Sequence, residues 1–112
     1  MLILIEKETL SHKNQETFKN IYKKATTTRI SSATIYDSFT VEPRRPGDVI
    51  LCGGMHKKVK KLLCEHKLPL PLRDRLPIFR DSHGIVWIPE VALRDGASEG
   101  DDRMTITLFY ND

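Results

Sequence analysis

Two sets of side chains in this sequence could do chemistry, and both fall between positions 44 and 80. Cys52, His56, Cys64 and His66, spaced Cys-x3-His and Cys-x-His, are metal-ligand or nucleophile types. Arg44, Arg45, Lys57, Lys58, Lys60, Lys61, Lys67, Arg73, Arg75 and Arg80 are cations that could hold a polyanion. A zinc site needs its ligands to converge. Cys64 and His66 stand two apart on a predicted helix, about 200° round it, and point to nearly opposite sides. The same divergence spoils a Cys/His nucleophile pair, so no metal site and no catalytic residue is expected.

The cations are the stronger signal. Within residues 44–80 they meet only Asp48, Glu65 and Asp74, a net of +7, while the rest of the chain nets −4 and the whole only +3. Such asymmetry is the footprint of a polyanion-binding surface, with nucleic acid the first partner to consider. The alternative is a solvated basic face, and with it a protein-interaction module that dimerises through an exposed sheet edge.

The elements that must position these charges follow from local pattern. His56 to His66 predicts a helix with Val59, Leu62, Leu63 and His66 on one side and Lys57, Lys58, Lys60 and Lys61 over the other. Gly53-Gly54 stands before it and is expected to aim free N–H groups at an anion. Arg44-Arg45-Pro46-Gly47-Asp48 predicts a type II turn, with Pro46 fixing one dihedral, Gly47 supplying positive φ and Asp48 accepting backbone or arginine hydrogen bonds. Val49-Ile50-Leu51 follows as a buried strand. Pro71 opens and Pro77 closes a short helix burying Leu72 and Leu76, on which Arg73 and Arg75 diverge. One of these two arginines is expected to pair with Asp48 or Asp74. Ile78-Phe79-Arg80 and Ile85-Val86-Trp87-Ile88 form a hairpin about Asp81-Ser82-His83-Gly84, with Trp87 in the core.

Further out, Met1 to Ile5 predicts a strand; it is too short for a membrane span or signal core. Ser11 caps a helix over about residues 12–24 with Phe18, Ile21 and Tyr22 facing a core. Ala25 to Ser32 reads as a polar loop, with Arg29 a candidate phosphate contact. Thr34-Ile35-Tyr36 and Phe39-Thr40-Val41 read as short strands about an Asp37-Ser38 turn, and Val91 to Leu93 as an extension of the sheet. Gly96 to Asp102 is a solvated acidic loop, and Met104 to Tyr110 alternates as a last strand. The expected fold is α+β: residues 1–112 as one domain, short strands in a layered sheet or sandwich, two or three helices packed on it. Two cysteines without an export signal predict free thiols and a cytoplasmic protein with no membrane partner.

In order and without evident gaps, Arg45-Pro46-Gly47-Asp48, Gly54-Met55, Lys57, Val59-Lys60-Lys61-Leu62, Leu68-Pro69, Leu72-Arg73-Asp74, Leu76-Pro77 and Gly84-Ile85-Val86-Trp87-Ile88-Pro89 resemble the C-terminal domain of bacterial tRNA(Ile)-lysidine synthetases. The resemblance implies a module that holds tRNA(Ile) while a separate N-terminal catalytic domain activates the wobble cytidine with ATP and magnesium and joins lysine to it. The implied tRNA-binding residues are Arg44, Arg45, Lys57, Lys58, Lys60, Lys61, Lys67 and Arg73, gripping the backbone of a stem. The ligase's Ser-Gly-Gly-x-Asp-Ser loop is absent, and Gly53-Gly54 does not replace it. The chain is therefore expected to be a fragment of such an enzyme, with no cofactor of its own and no activity alone. Departures from the family pattern are Val49 and Leu51, where relatives often carry basic residues, and Glu90, where glycine is common.

Overall fold

The computed structural model describes residues 2–7, 21–100 and 102–111. The fold is α+β, and the chain divides into two compact units, Met1–Thr34 with Ser98–Asp112, and Ile35–Ala97.

In the first unit, β1 (Leu2–Lys7) and β2 (Lys24–Ser31) flank β9 (Arg103–Tyr110) in an antiparallel sheet of order β1-β9-β2. The central strand carries the core through Ile106, Leu108, Phe109 and Tyr110, all buried, with Ile30 from β2. The loop expected over Ala25 to Ser32 is instead most of β2. Thr26, Thr27, Thr28 and Ile30 are β-branched and favour a pleated surface although three of them are polar. Register does the rest: Thr27 pairs with Thr107, and their hydroxyls hydrogen-bond at 3.0 Å. Arg29 lies on the exposed side of this strand. The helix expected over 12–24 falls mostly outside the described residues. Of its end, Ile21 is 63% exposed and not core-facing, and Lys24 already belongs to β2.

The second unit is built on a four-stranded antiparallel sheet, β3 (Thr40–Glu42), β6 (Ile78–Asp81), β7 (Gly84–Ile88) and β8 (Ala92–Leu93), in order β3-β6-β7-β8. The β6–β7 hairpin and β8 lie where the pattern placed them. Phe79 pairs with Trp87, their rings 5.0 Å apart, and Phe39 meets Phe79 edge-on at 6.2 Å. Trp87 is 3% exposed, a core residue. The segment 34–36 is no strand: Ser32–Thr34 is a 3-10 turn, and Tyr36 is held by side-chain and main-chain bonds described below.

A second hairpin joins β4 (Val49–Cys52) to β5 (Met55–Lys58) through Gly53-Gly54, both at positive φ (63° and 76°). A two-residue turn with two such dihedrals matches the right-handed twist of a hairpin and strongly favours glycine. Here the expected lysine helix is corrected. Residues 55–58 are strand, helix α1 is only Val59–Glu65, and Lys57 and Lys58 therefore do not lie on it. Val59, Leu62 and Leu63 are buried as their periodicity required, whereas His66 is the exposed C-cap. Lys67 follows at φ 55°, the left-handed position that commonly ends a helix. Helix α2 (Leu70–Arg73) begins after Pro69, and Leu76 beyond it is buried.

Glu90 also stands at positive φ, 65°, behind Pro89, in a turn closed by the Val91 N–H to the Ile88 carbonyl at 2.9 Å. A Cβ costs roughly 1–2 kcal/mol in this backbone region, and glycine gives back part of that as chain entropy. Glu90→Gly is expected to raise stability by about 0.5–1 kcal/mol. Urea denaturation of the two proteins measures it; an unchanged or lowered midpoint would show that Glu90 contacts outweigh its backbone strain.

Candidate nucleic-acid interface

The Arg44–Asp48 turn is positioned from two sides. Asp48 N–H donates to the Arg45 carbonyl at 3.2 Å across Pro46-Gly47, and Gly47 has φ 83°, the expected type II geometry. The Asp48 carboxylate then accepts the Arg45 N–H at 2.6 Å and two bonds from the Arg80 guanidinium at 2.8 and 2.5 Å. Arg80 is 8% exposed and also donates to the Pro43 carbonyl at 3.3 Å, with its Nε 3.4 Å from Glu42. A buried cation with so many acceptors fixes the turn against the end of β6. The Val59 N–H donates to the Asp48 carbonyl at 3.0 Å, tying the turn to the start of α1.

Between turn and helix lies a groove of about 550 Å³ lined by Arg44, Arg45, Asp48, Val49, Lys58 and Lys60. Four of the eight residues singled out from the sequence, Arg44, Arg45, Lys58 and Lys60, thus meet in one hollow. Their states differ. Arg44 donates to Asp74 at 3.1 and 2.8 Å, and Arg45 pairs with Glu42. Lys58 and Lys60 are exposed and have no ion pair among the described residues. Lys61 is exposed beside Glu65, 3.9 Å away.

The other candidates stand outside that groove. Lys57 is half-buried, paired in register with buried Ile50, and its charge acts on Asp95. Lys67 is exposed at the helix end. Arg73 donates from Nε to the Leu68 carbonyl at 2.7 Å, and Arg75 to the Pro71 carbonyl at 3.2 Å. Neither Arg73 nor Arg75 takes Asp48 or Asp74, because Arg80 and Arg44 already hold those carboxylates.

The Gly53-Gly54 N–H groups are not open to an anion from outside. Asp95 accepts them at 2.9 and 2.7 Å, and these two bonds hold its carboxyl below the ordinary aspartate range. The chain supplies its own anion there. Among the described residues no cluster of three or more His, Cys, Asp or Glu could hold a metal, and Cys52 and Cys64 are free thiols. No helix among the described residues is long and apolar enough to cross a membrane.

A second hollow, about 370 Å³, is lined by Tyr36, Val49, Leu51, His56, His83, Arg94 and Asp95. Its wall depends on a carboxylate that composition does not single out. Asp81 is buried and accepts Arg94 at 2.9 and 2.7 Å, the Tyr36 N–H at 3.1 Å and the His83 N–H at 2.9 Å. Burial pushes the Asp81 pKa up, but the Arg94 guanidinium and the two N–H donors outweigh it and bring it down to about 2.

Residues 39–108 match the family described as the TilS substrate C-terminal domain. The tRNA(Ile)-lysidine synthase of Bacillus subtilis (strain 168) is 47% identical over 53 residues, 45% of this chain and 11% of that protein. The synthase of Geobacillus kaustophilus is 38% identical over 77 residues, 66% of this chain and 16% of that protein. The crystal structure of a TILS C-terminal domain superposes with a TM-score of 0.63 at 28% identity, covering 76% of this chain and 69% of that one. The chain thus spans under a fifth of the length of these curated relatives.

Asp81 has a definite pH signature. Its folded pKa, about 2, lies below the ordinary 3.8, so its contribution to stability is complete above about pH 4. That contribution is lost as pH falls through 2, because the unfolded chain takes up the proton first. Asp48, lowered chiefly by its bond from Arg80, acts in the same direction. Urea-denaturation free energies should be flat down to about pH 4 and then lose on the order of 2 kcal/mol through Asp81. Asp81→Asn should cost about 3–5 kcal/mol at neutral pH, by leaving Arg94 buried without its counter-charge, and should flatten the acid limb. An unaltered acid limb would rule Asp81 out as its source.

Proposed function

The chain belongs to the TilS substrate C-terminal domain family, and on that premise we propose that it is the tRNA-holding module of a tRNA(Ile)-lysidine synthase. In this reading it grips the phosphate backbone of a tRNA(Ile) stem while a separate domain, using ATP and magnesium, joins lysine to the wobble cytidine. The chain itself takes no cofactor, and the setting is the cytoplasm. The observation that carries the reading is the groove between the Arg44–Asp48 turn and α1, where Lys58 and Lys60 stand exposed beside Arg44 and Arg45.

Physical chemistry favours backbone over base contact in this groove. Double-helical RNA hides its base edges in a deep major groove and offers phosphates and 2′-hydroxyls instead. Ammonium groups on flexible stems suit phosphates as point charges. The arginines contribute differently: Arg44 and Arg45 are tied to Asp74 and Glu42, so they shape the groove wall and add field without being free to reach. Lys57, Lys61 and Lys67 lie outside the lining and act through the same field at longer range. Arg73, bonded to the Leu68 carbonyl, serves the turn after α1.

The double variant Lys58→Ala, Lys60→Ala removes two exposed charges that support no core residue and should fold normally. Anisotropy titrations with tRNA(Ile) over a range of salt should give a log affinity against log salt slope shallower by about 2, with binding weakened for other tRNAs alike. Arg73→Ala should instead lower stability by about 1 kcal/mol and leave the slope alone. If the double variant folds and keeps the wild-type slope, the groove is a solvated face. Association of the chain with itself through a sheet edge then becomes the reading to pursue, by sedimentation.

A further inference from the structure

The hollow beside the groove has the wrong chemistry for phosphates and the right one for a base. Tyr36 and His83 stack with ring centroids 3.7 Å apart and planes 35° apart, and the Arg94 guanidinium lies 5.6 Å from the Tyr36 ring centre. Tyr36 is 50% exposed, an unusual state for a tyrosine so firmly held. Its N–H is bound by Asp81 and its carbonyl accepts the Ser82 N–H at 3.3 Å. All three members of the stack are fastened to one buried group, since Asp81 also holds the His83 N–H and both terminal nitrogens of Arg94. An exposed aromatic pair whose backbone is anchored in this way keeps its orientation without a ligand, which is the condition for binding at low entropic cost.

Val49 and Leu51 give the hollow an apolar stretch of lining, and His56 lines it as well. Antiparallel register explains the grouping. Val49 pairs with Lys58 and Leu51 with His56, so these four alternate residues share one face of the β4–β5 hairpin. Val49 lines both hollows. The groove with Lys58 and the cleft with His56 are therefore neighbouring stations on one surface, the first cationic, the second aromatic and apolar. About 370 Å³ admits a single ring system and its sugar, but not a base-paired helix.

The geometry points to a nucleobase-stacking site: the Tyr36–His83 cleft takes one unpaired nucleobase of the RNA whose phosphates lie along the Lys58–Lys60 groove. This rests on the RNA-binding reading above and adds to it a unit the groove cannot read, a nucleotide outside the duplex. Unpaired bases bind proteins by stacking on aromatic and guanidinium planes, and a stacked base is sequence-tolerant because every base has a π-face. Arg94, over the Tyr36 ring, adds a cation held in place by Asp81.

The test uses the full chain and three RNAs: a short single strand carrying 2-aminopurine, a blunt RNA hairpin, and that hairpin with one unpaired 2-aminopurine nucleotide added at its 3′ end. The wild type should quench 2-aminopurine fluorescence and bind the extended hairpin more tightly than the blunt one. Tyr36→Ala should abolish the quench and lose about tenfold on the extended hairpin and the single strand, leaving blunt-hairpin affinity unchanged. Tyr36→Phe should restore both, since only the ring is needed. The Lys58→Ala, Lys60→Ala variant should weaken both hairpins while keeping the quench at saturation. No quench by the wild type, or a quench that survives Tyr36→Ala, overturns the stacking site whatever the hairpins do. Equal loss on blunt and extended hairpins in Tyr36→Ala also overturns it, because the ring would then be serving the groove. Quenching without blunt-hairpin binding would leave the stacking site standing and sink the groove reading alone.

Discussion

Two adjacent charges at the end of β6, Arg80 and Asp81, hold both surface hollows in place. Arg80 reaches Asp48 and so fixes the turn that walls the groove; Asp81 reaches Arg94 and so fixes the loops that wall the cleft. Neighbouring residues of a strand point to opposite sides, so one dipeptide can serve two sites. Taking either charge out of water is expensive, and the Coulomb attraction of a buried pair recovers that cost only with good geometry and further hydrogen bonds. Both pairs have them. Asp48 also accepts the Arg45 N–H, and Asp81 the N–H groups of Tyr36 and His83. Losing one partner strands the other charge out of water, and the pairs also set shape: four loop segments that would otherwise sample many conformations are each bound to the same strand end.

What surrounds this strand end is hydrophobic and local. The Phe79–Trp87 pair and the run of Ile78, Ile85, Val86 and Ile88 bury the β6–β7 hairpin almost completely, while Val59, Leu62 and Leu63 are the buried side of α1, which packs against β5. Asp95 completes the frame by capping the two N–H groups of the Gly53-Gly54 turn, which keeps the β4–β5 hairpin in register with Lys58 and His56 outward. The site is thus a set of short loops whose backbone polar groups are answered by carboxylates, on a scaffold whose apolar groups are answered by one another.

The parts legible in the sequence are those whose cause is local. The Pro46-Gly47 turn, the β6–β7 hairpin, the buried side of α1 and the last strand all follow from a few neighbouring residues. The α+β class and the family resemblance follow in turn. Strand β2 was not legible because its Thr-rich run is a strand only when β9, some eighty residues away in sequence, pairs with it. Met55 to Lys58 has little strand propensity and looks like the start of the helix that follows. The usable signal was the two-residue Gly-Gly between Val49–Cys52 and Met55, which is a hairpin signature before it is an anion site. Tyr36 carries no local mark at all, since its role depends on Asp81 and on a histidine forty-seven positions later.

The division of labour between the two kinds of cation bears on how specificity could arise. In the second unit every arginine is engaged by a protein acceptor: Arg44 by Asp74, Arg45 by Glu42, Arg73 and Arg75 by main-chain carbonyls, Arg80 by Asp48 and Arg94 by Asp81. Lys58, Lys60 and Lys67 have no ion pair among the described residues. Arginine's planar fork is the group that reads phosphate or base edges by geometry, and here it is spent on architecture. The lysines left over are point charges that attract any phosphate backbone and distinguish little among them. In the proposed RNA-holding role, a surface of this kind would gain affinity from its groove and need discrimination from elsewhere. The anchored aromatic cleft, which shares Val49 with the groove, would distinguish by RNA structure and not by sequence, since it takes only a nucleotide outside a duplex.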